Sequence, residues 1–477
     1  MNRNLLVIGV GRALQILVAL ASMRLMTHLL SGAEVGNVYL ILSLTSYFSL
    51  VFLSPVGQYM TRRLHAWHLE GNLLNYFTCY NVYVVLVSLS AFPFLFAAKY
   101  FFGVGAGIAT GSLCLLAFSY IYCGTWNSTV IPALNMLHHR LSFVVFTTGT
   151  LLLGLIFSAA LVKFHEASAV MWIAGQILGF LLLAMLSLWY FAGRLKYGVN
   201  GGFVLSCLKA PQLGGVAKFG LPLLVTTFFM WMQNQSYRLI VEKYLGLEFL
   251  GMIAVGLGIA AAIASAAESL AQQIYYPLFY SEITTADGAK RRDAWNKMAG
   301  LILPFYLLIT LFVSFLAWHL VNILVDVKFR AAWIFTIFGA WVELFRITTN
   351  ILSAIAHSEM RTEALAKPYI YGGVVTAAGV FLAAKSGAGH NSVPVALVLG
   401  GFATFLGMYI SMKTVMPFSM DKGDLKKTLL FSLPFPAALL VKQGSVPASI
   451  LVLALFGGYM VAAQYLLYRK KTAGEKK

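Results

Sequence analysis

Runs of about twenty or more nearly uncharged residues recur along the whole chain, from Leu5 to Tyr468. A helix of about 20 mostly apolar residues is what crosses the hydrocarbon core of a bilayer. With no water in that core, each run must satisfy its own backbone polar groups, and repeated runs of this kind do so as helices. The gaps between them predict fourteen spans: 5–29, 36–60, 73–98, 106–132, 141–162, 167–191, 217–241, 248–270, 299–325, 331–356, 368–385, 393–413, 428–442 and 447–468. The thirteenth is the weakest, being short and holding Pro434 and Pro436, and twelve is the alternative count. The expected class is all-α, a polytopic transmembrane helical bundle. Composition agrees: only 10% of residues are charged, against roughly 25% in soluble domains.

The basic residues set an expected orientation. Alternate gaps from the N-terminus carry 23 Lys and Arg on one side and eight on the other, with Arg12, Arg24 and Arg346 inside spans. Cytoplasmic loops carry the excess of Lys and Arg, so both termini are expected in the cytoplasm. The net charge of +18 does not indicate nucleic acid, because the charge lies in short gaps between apolar runs, not on one soluble face. Ala19-Leu20-Ala21 has the form of a signal-peptide cleavage site. Arg12 interrupts the apolar stretch before it, and the run continues to Leu30, so an uncleaved first span is expected.

The sequence repeats itself. Span one ends in Arg24-Leu25, with Glu34 ten residues after the Arg and Gly36 just beyond. Span seven ends in Arg238-Leu239, with Glu248 ten residues on and Gly251 beyond. Six spans lie between the copies, so both face the same way, which predicts a parallel repeat of two six-helix lobes and an alternating-access layout. The expected organisation is an N-terminal lobe over 1–191, a cytoplasmic linker over 192–216, a second lobe over 217–413, and a further helix pair with a basic tail over 414–477.

These segments also carry a resemblance. R-L-M-T-H-L-L-S-G-A-E-V-G at 24–36, S-P-V-G-Q-Y-M-T-R-R at 54–63, F-G-L-P-L at 219–223 and the R-L…L-G-L-E-F-L-G segment at 238–251 resemble the polysaccharide flippases of the multidrug/oligosaccharidyl-lipid/polysaccharide exporter superfamily, the Wzx-type O-antigen flippases. Many relatives carry an acidic residue just before the span-seven Arg, where this chain has Ser236-Tyr237, so a coupling role for that position does not carry over. The resemblance implies a substrate, an undecaprenyl-diphosphate-linked oligosaccharide moved from the cytoplasmic to the periplasmic leaflet of a bacterial inner membrane. It implies as partners that glycan, the bilayer and other polysaccharide assembly proteins. A multidrug or metabolite exporter of the same superfamily is the alternative. A membrane polymerase or ligase fits poorly, because the outer gaps are only about 5–10 residues long.

Charged side chains inside spans cost at least about 2.5–3.5 kcal/mol each at a helix centre, so each needs a reason. Glu343, Arg346 and Asn350 fall within an arc of about 60° on span ten. Arg346 either receives the diphosphate through its planar donor fork or forms a permanent pair with Glu343. Arg12 shares a face with Gln15 and either admits the diphosphate from the inner leaflet or snorkels to headgroups. Arg24, about 18 Å further along, binds substrate or anchors the outer interface. Asn234 and Arg238 share a face with Trp231 and offer amide, guanidinium and ring to a glycan phosphate, or simply hydrogen-bond between helices. Glu242, four residues on, is placed to pair with Arg238. Glu268, with Gln272 and Tyr275 on its face, either carries a coupling proton or sits in interfacial water. Glu268 and Glu343 are the candidates for ion coupling or gating. Three span arginines against two span glutamates favour an anionic substrate. No Walker A, H-E-x-x-H or G-x-S-x-G pattern occurs, and the four cysteines and His138-His139 lack metal-ligand spacing. No cofactor, metal or enzymatic reaction is expected. Gly175 and Gly179 form a G-x-x-x-G, expected to serve close helix packing.

Overall fold

A computed structural model describes residues 3–195, 198–207, 210–283, 287–387, 389–420, 422–441 and 445–474. The described residues form helices and short connections, with no strand. The chain divides into two compact units, Met1–Gly251 and Met252–Lys477. The first holds α1 (Arg3–Leu29), α2 (Gly32–Tyr47), α3 (Ser54–Leu69), α4 (Leu73–Phe102), α5 (Thr110–Met136), α6 (Arg140–Phe164), α7 (Ala169–Arg194), α8 (Gly201–Cys207), α9 (Ala210–Gln235) and α10 (Tyr237–Leu245). Helix α11 (Leu247–Ile283) begins in it. The second unit continues with α12 (Gly288–Leu324), α13 (Trp333–Ser358), α14 (Ala366–Lys385), α15 (Ser392–Val415), α16 (Lys422–Ser432) and α17 (Val446–Gly474). The expected linker, 192–216, holds α8 and the opening of α9.

Twelve helical stretches among the described residues are long and apolar enough to cross a membrane. On these stretches, large apolar side chains such as Phe96, Trp189, Leu382 and Leu455 lie exposed, as lipid-facing residues do. This is a multi-pass membrane protein.

Contacts between loops show two further crossings. In the first unit, Glu34 accepts a hydrogen bond from Ala169 N at 2.6 Å and Glu242 accepts one from Gly105 N at 2.7 Å. Glu34 and Ala169 can share one side only if the chain crosses an even number of times between them, which requires α5 to traverse as well as α2–α3, α4 and α6. Its 27 residues carry no charge, but Ser, Thr, Asn and Gly make it less apolar than its neighbours. In the second unit, Ser419 N donates to Asn296 near one end of α12, while Ala438 O meets the His319 ring near the other. Those two points on α12 are 23 residues, or about 35 Å, apart. The segment carrying α16 and a 3-10 turn at Phe435–Leu440 therefore crosses too. It is no continuous helix, because Pro434 and Pro436 lack the N–H groups that an α-helix needs. With these two, the twelve become fourteen crossings.

Two local features follow from sequence. Pro55 denies Val51 O its helical donor, and the chain takes up a π turn at Phe48–Leu53 between α2 and α3, with Ser54 N bonded to Ser49 O. Gly175 and Gly179 on α7 let α6 approach: a Cβ at Gly175 would lie 2.2 Å from Ser158 N, and one at Gly179 would lie 2.6 Å from Gly154 N. The G-x-x-x-G is a packing device, as expected.

The repeat has a structural counterpart. Each copy is a helix end, a short turn and a new helix with an acid in its first turn, Glu34 in α2 and Glu248 in α11. The copies pack on each other within the first unit. A Cβ on Gly36 would lie 2.1 Å from Leu247 O, and one on Gly251 would lie 2.2 Å from Gly32 O.

Candidate functional site

In the second unit, two helix faces converge on one ionic cluster. Arg346 on α13 donates through Nε to Glu343 Oε2 at 2.6 Å, one turn back on the same helix. Through Nη1 it donates to Glu268 Oε2 on α11 at 2.9 Å. Asn350, one turn beyond Arg346, donates to the other Glu268 oxygen at 2.7 Å, and Gln272 reaches that oxygen at 3.4 Å. The stripe spacing explains the first contact: i−3 and i+4 place Glu343 and Asn350 on the Arg346 face. Close packing explains the second, because Gly339 on α13 lies against Leu257 and Ala260 of α11. Tyr276, Tyr306 and Tyr369, from α11, α12 and α14, stand close enough to feel the cluster's charge.

Glu268 is only 9% exposed, so it is no interfacial residue in water. Its place opposite Arg346 depends on how α11 packs on α13, which no periodicity in the sequence reports. The cluster also revises the charge balance. Two carboxylates surround one guanidinium, so this buried site is not cationic. One donor is left over: Arg346 Nη2 is buried with no hydrogen-bond partner. Guanidinium is planar and permanently charged, so that remaining edge can take one anionic oxygen without leaving Glu343.

The other expected site residues all lie in the first unit. Arg12 donates to Gln15 Oε1 at 3.0 Å while its buried Nε has no partner. Arg24 is half-buried on α1, and its side chain has no partner among the described residues. Arg238 lies over the Tyr39 ring at 5.1 Å, donates to Tyr39 O at 3.3 Å and contacts Tyr237 OH at 3.3 Å. It does not pair with Glu242, whose carboxylate turns to Gly105 instead. Ser236 marks the junction of α9 and α10 but keeps right-handed helical dihedrals, and the two run on as one span over Gly214–Leu245. Trp231 Nε1 donates to Ser43 O, and Ser43 Oγ donates to Gln235 O. Much of this polar cluster is thus interhelical bonding to α2. Asn234 is half-buried and without a partner among the described residues. Among the described residues, no group of three His, Cys, Asp or Glu forms a metal site.

The fold is similar to those of several solved membrane transporters. In particular, it is similar to the lipid II flippase MurJ in an inward closed conformation, with a TM-score of 0.70, 13% identity and 98% of this chain covering 99% of that one. An inward-facing multidrug resistance MATE family transporter of the MOP superfamily matches with a TM-score of 0.53 and 13% identity, over 85% of this chain and 94% of that one. A MOP superfamily transporter from Pyrococcus furiosus matches with a TM-score of 0.52 and 15% identity, over 85% and 93%. No protein-family model matches the sequence, and no curated protein matches it.

Proposed function

We propose that this chain is a flippase for an undecaprenyl-diphosphate-linked oligosaccharide, carrying it by alternating access from the cytoplasmic to the periplasmic leaflet for O-antigen or other surface polysaccharide. The likeness to a lipid II flippase over nearly the full length of both chains supports a lipid-linked substrate. The observation that carries the reading is Arg346, held by Glu343 and Glu268 with Nη2 unpaired. A diphosphate oxygen takes Nη2, then competes with Glu268 for Nη1, and Asn350 keeps the released Glu268 hydrogen-bonded. Loading the site thereby loosens α11 from α13, which couples substrate to the packing of the unit. Within the first unit, Arg24 and Arg12, with spare donors on α1, are separate candidate substrate contacts, as are Asn234 and Arg238. Both termini lie in the cytoplasm in this proposal.

A drug or metabolite exporter is the second reading. The excess of carboxylate over guanidinium around Arg346 favours it, since such a site attracts cations. Reconstitution in proteoliposomes separates the two. The flippase reading expects transbilayer movement of a polyprenyl-diphosphate oligosaccharide, cut at least tenfold in Arg346→Ala. Arg346→Lys keeps the charge but loses the fork, and is expected to fall between. Movement of organic cations without movement of the glycan lipid overturns this proposal.

A further inference from the structure

The first unit encloses a cavity of about 520 Å³ between the π turn, α3, α4, α5 and Phe180 of α7. This falls within the range of about 300–1,000 Å³ typical of small-molecule sites. No charged residue lines it. Five of the hydroxyls on its wall are committed in one direction. Ser49, Thr61, Thr125, Ser128 and Thr129 each donate to a backbone carbonyl of their own helix, at 2.6–3.2 Å. Each O–H is therefore spent, and what faces the cavity is an oxygen lone pair.

A proline adds to this. Pro132 has no N–H for Ser128 O, so the α5 wall carries a carbonyl without its helical donor. The π turn that Pro55 induces brings Ser49 and Ser54 to the cavity wall. Turns of this kind occur often at functional sites. Tyr80 and Tyr120 supply ring faces. The result is an acceptor-rich, aromatic and uncharged chamber.

A ligand for such a chamber must bring many donors and no charge that needs a counter-ion. A cation without a carboxylate partner is costly in a membrane interior. A saccharide satisfies the chemistry: its hydroxyls donate to the lone pairs, and its C–H faces lie on aromatic rings. We propose that this cavity receives neutral sugar rings of the transported lipid-linked glycan. The inference rests on the flippase reading and gives the glycan a place apart from the diphosphate contacts. By the loop alternation, α3 and α5 both end on the side expected to be cytoplasmic, so the chamber lies on the loading side.

The test compares two probes in proteoliposomes, one polyprenyl diphosphate carrying a single hexose and one carrying a neutral trisaccharide. Ser128 is exposed to the cavity, so Ser128→Trp fills the chamber without displacing a buried side chain. The ratio of trisaccharide to monosaccharide rate is expected to fall at least tenfold. Thr129→Val removes one acceptor at constant volume and is expected to lower the ratio about fivefold, the size of one neutral hydrogen bond. Thermal unfolding of each purified variant confirms that it folds. An unchanged ratio in both folded variants overturns the proposal. So does a loss confined to transport of an organic cation such as ethidium. If the unaltered protein moves neither glycan lipid, the flippase reading itself fails, which is a different result from an unchanged ratio.

Discussion

Arg346 shows how much one buried ion asks of its surroundings. Taking either partner from a buried ion pair leaves an uncompensated charge, at about 3–5 kcal/mol. Arg346→Ala leaves Glu268 and Glu343 facing each other, so a loss of transport in that variant has two causes, a missing contact and a weakened fold. The neutral variant Glu268→Gln/Glu343→Gln/Arg346→Gln separates them. Its amides retain hydrogen bonds without charge, so its unfolding temperature in detergent should lie within a few degrees of the parent, well above that of Arg346→Ala. Glycan-lipid transport should remain lost. Recovered transport in the neutral variant assigns the cluster to packing alone. Half of this site was legible in the sequence. Glu343, Arg346 and Asn350 share one helix, and helical spacing puts them on one face. Glu268 lies 78 residues from Arg346, and only the approach of α11 to α13 at Gly339 brings them together.

At the scale of the element, small residues decide which helices meet. The close fit of α6 to α7 depends on Gly175 and Gly179 having no side chain. Gly175→Ala places a Cβ 2.2 Å from the Ser158 backbone, which no rotamer can relieve, so the helices must separate. The expected destabilisation is about 1–3 kcal/mol, read as a lower unfolding temperature. Gly193→Ala, near the end of the same helix and with nothing within 4 Å of its Cβ, is expected to be neutral or slightly stabilising. Equal effects at the two positions refute the packing account. The C-terminal pair is fixed differently. Buried His319 and Asn322 on α12 both contact Ser449 Oγ on α17, at 3.1 and 3.0 Å. The polar residues were visible in the sequence, but not their pairing, since Ser449 sits on a different apolar helix from His319 and Asn322 and no spacing links the two. The bonding of Trp231 and Gln235 to Ser43 of α2 was out of reach for the same reason.

For the whole chain, hydrophobic length alone located most of the crossings, because a bilayer demands the same thing of every span. The runs at 106–132 and 428–442 were among the fourteen, although α5 carries many hydroxyls and the segment before α17 is broken by Pro434 and Pro436. Loop contacts agree with the alternation. Glu34 on Ala169, Glu242 on Gly105, and Arg291 on Glu359 at 3.4 Å each join gaps that fourteen crossings assign to one side. The excess of basic residues then predicts which side is cytoplasmic. Single cysteines in a background lacking Cys79, Cys114, Cys123 and Cys207 test this in intact cells. Gly107→Cys, His165→Cys and Asn391→Cys are expected to react with a membrane-impermeant maleimide. Glu70→Cys and His139→Cys should react only after the membrane is opened. Gly107 and His139 flank α5, so equal labelling of those two would remove α5 from the crossings. The opposite pattern throughout would keep the fourteen crossings and invert the protein, placing the sugar chamber and its loading side on the wrong face for a flippase that works outward.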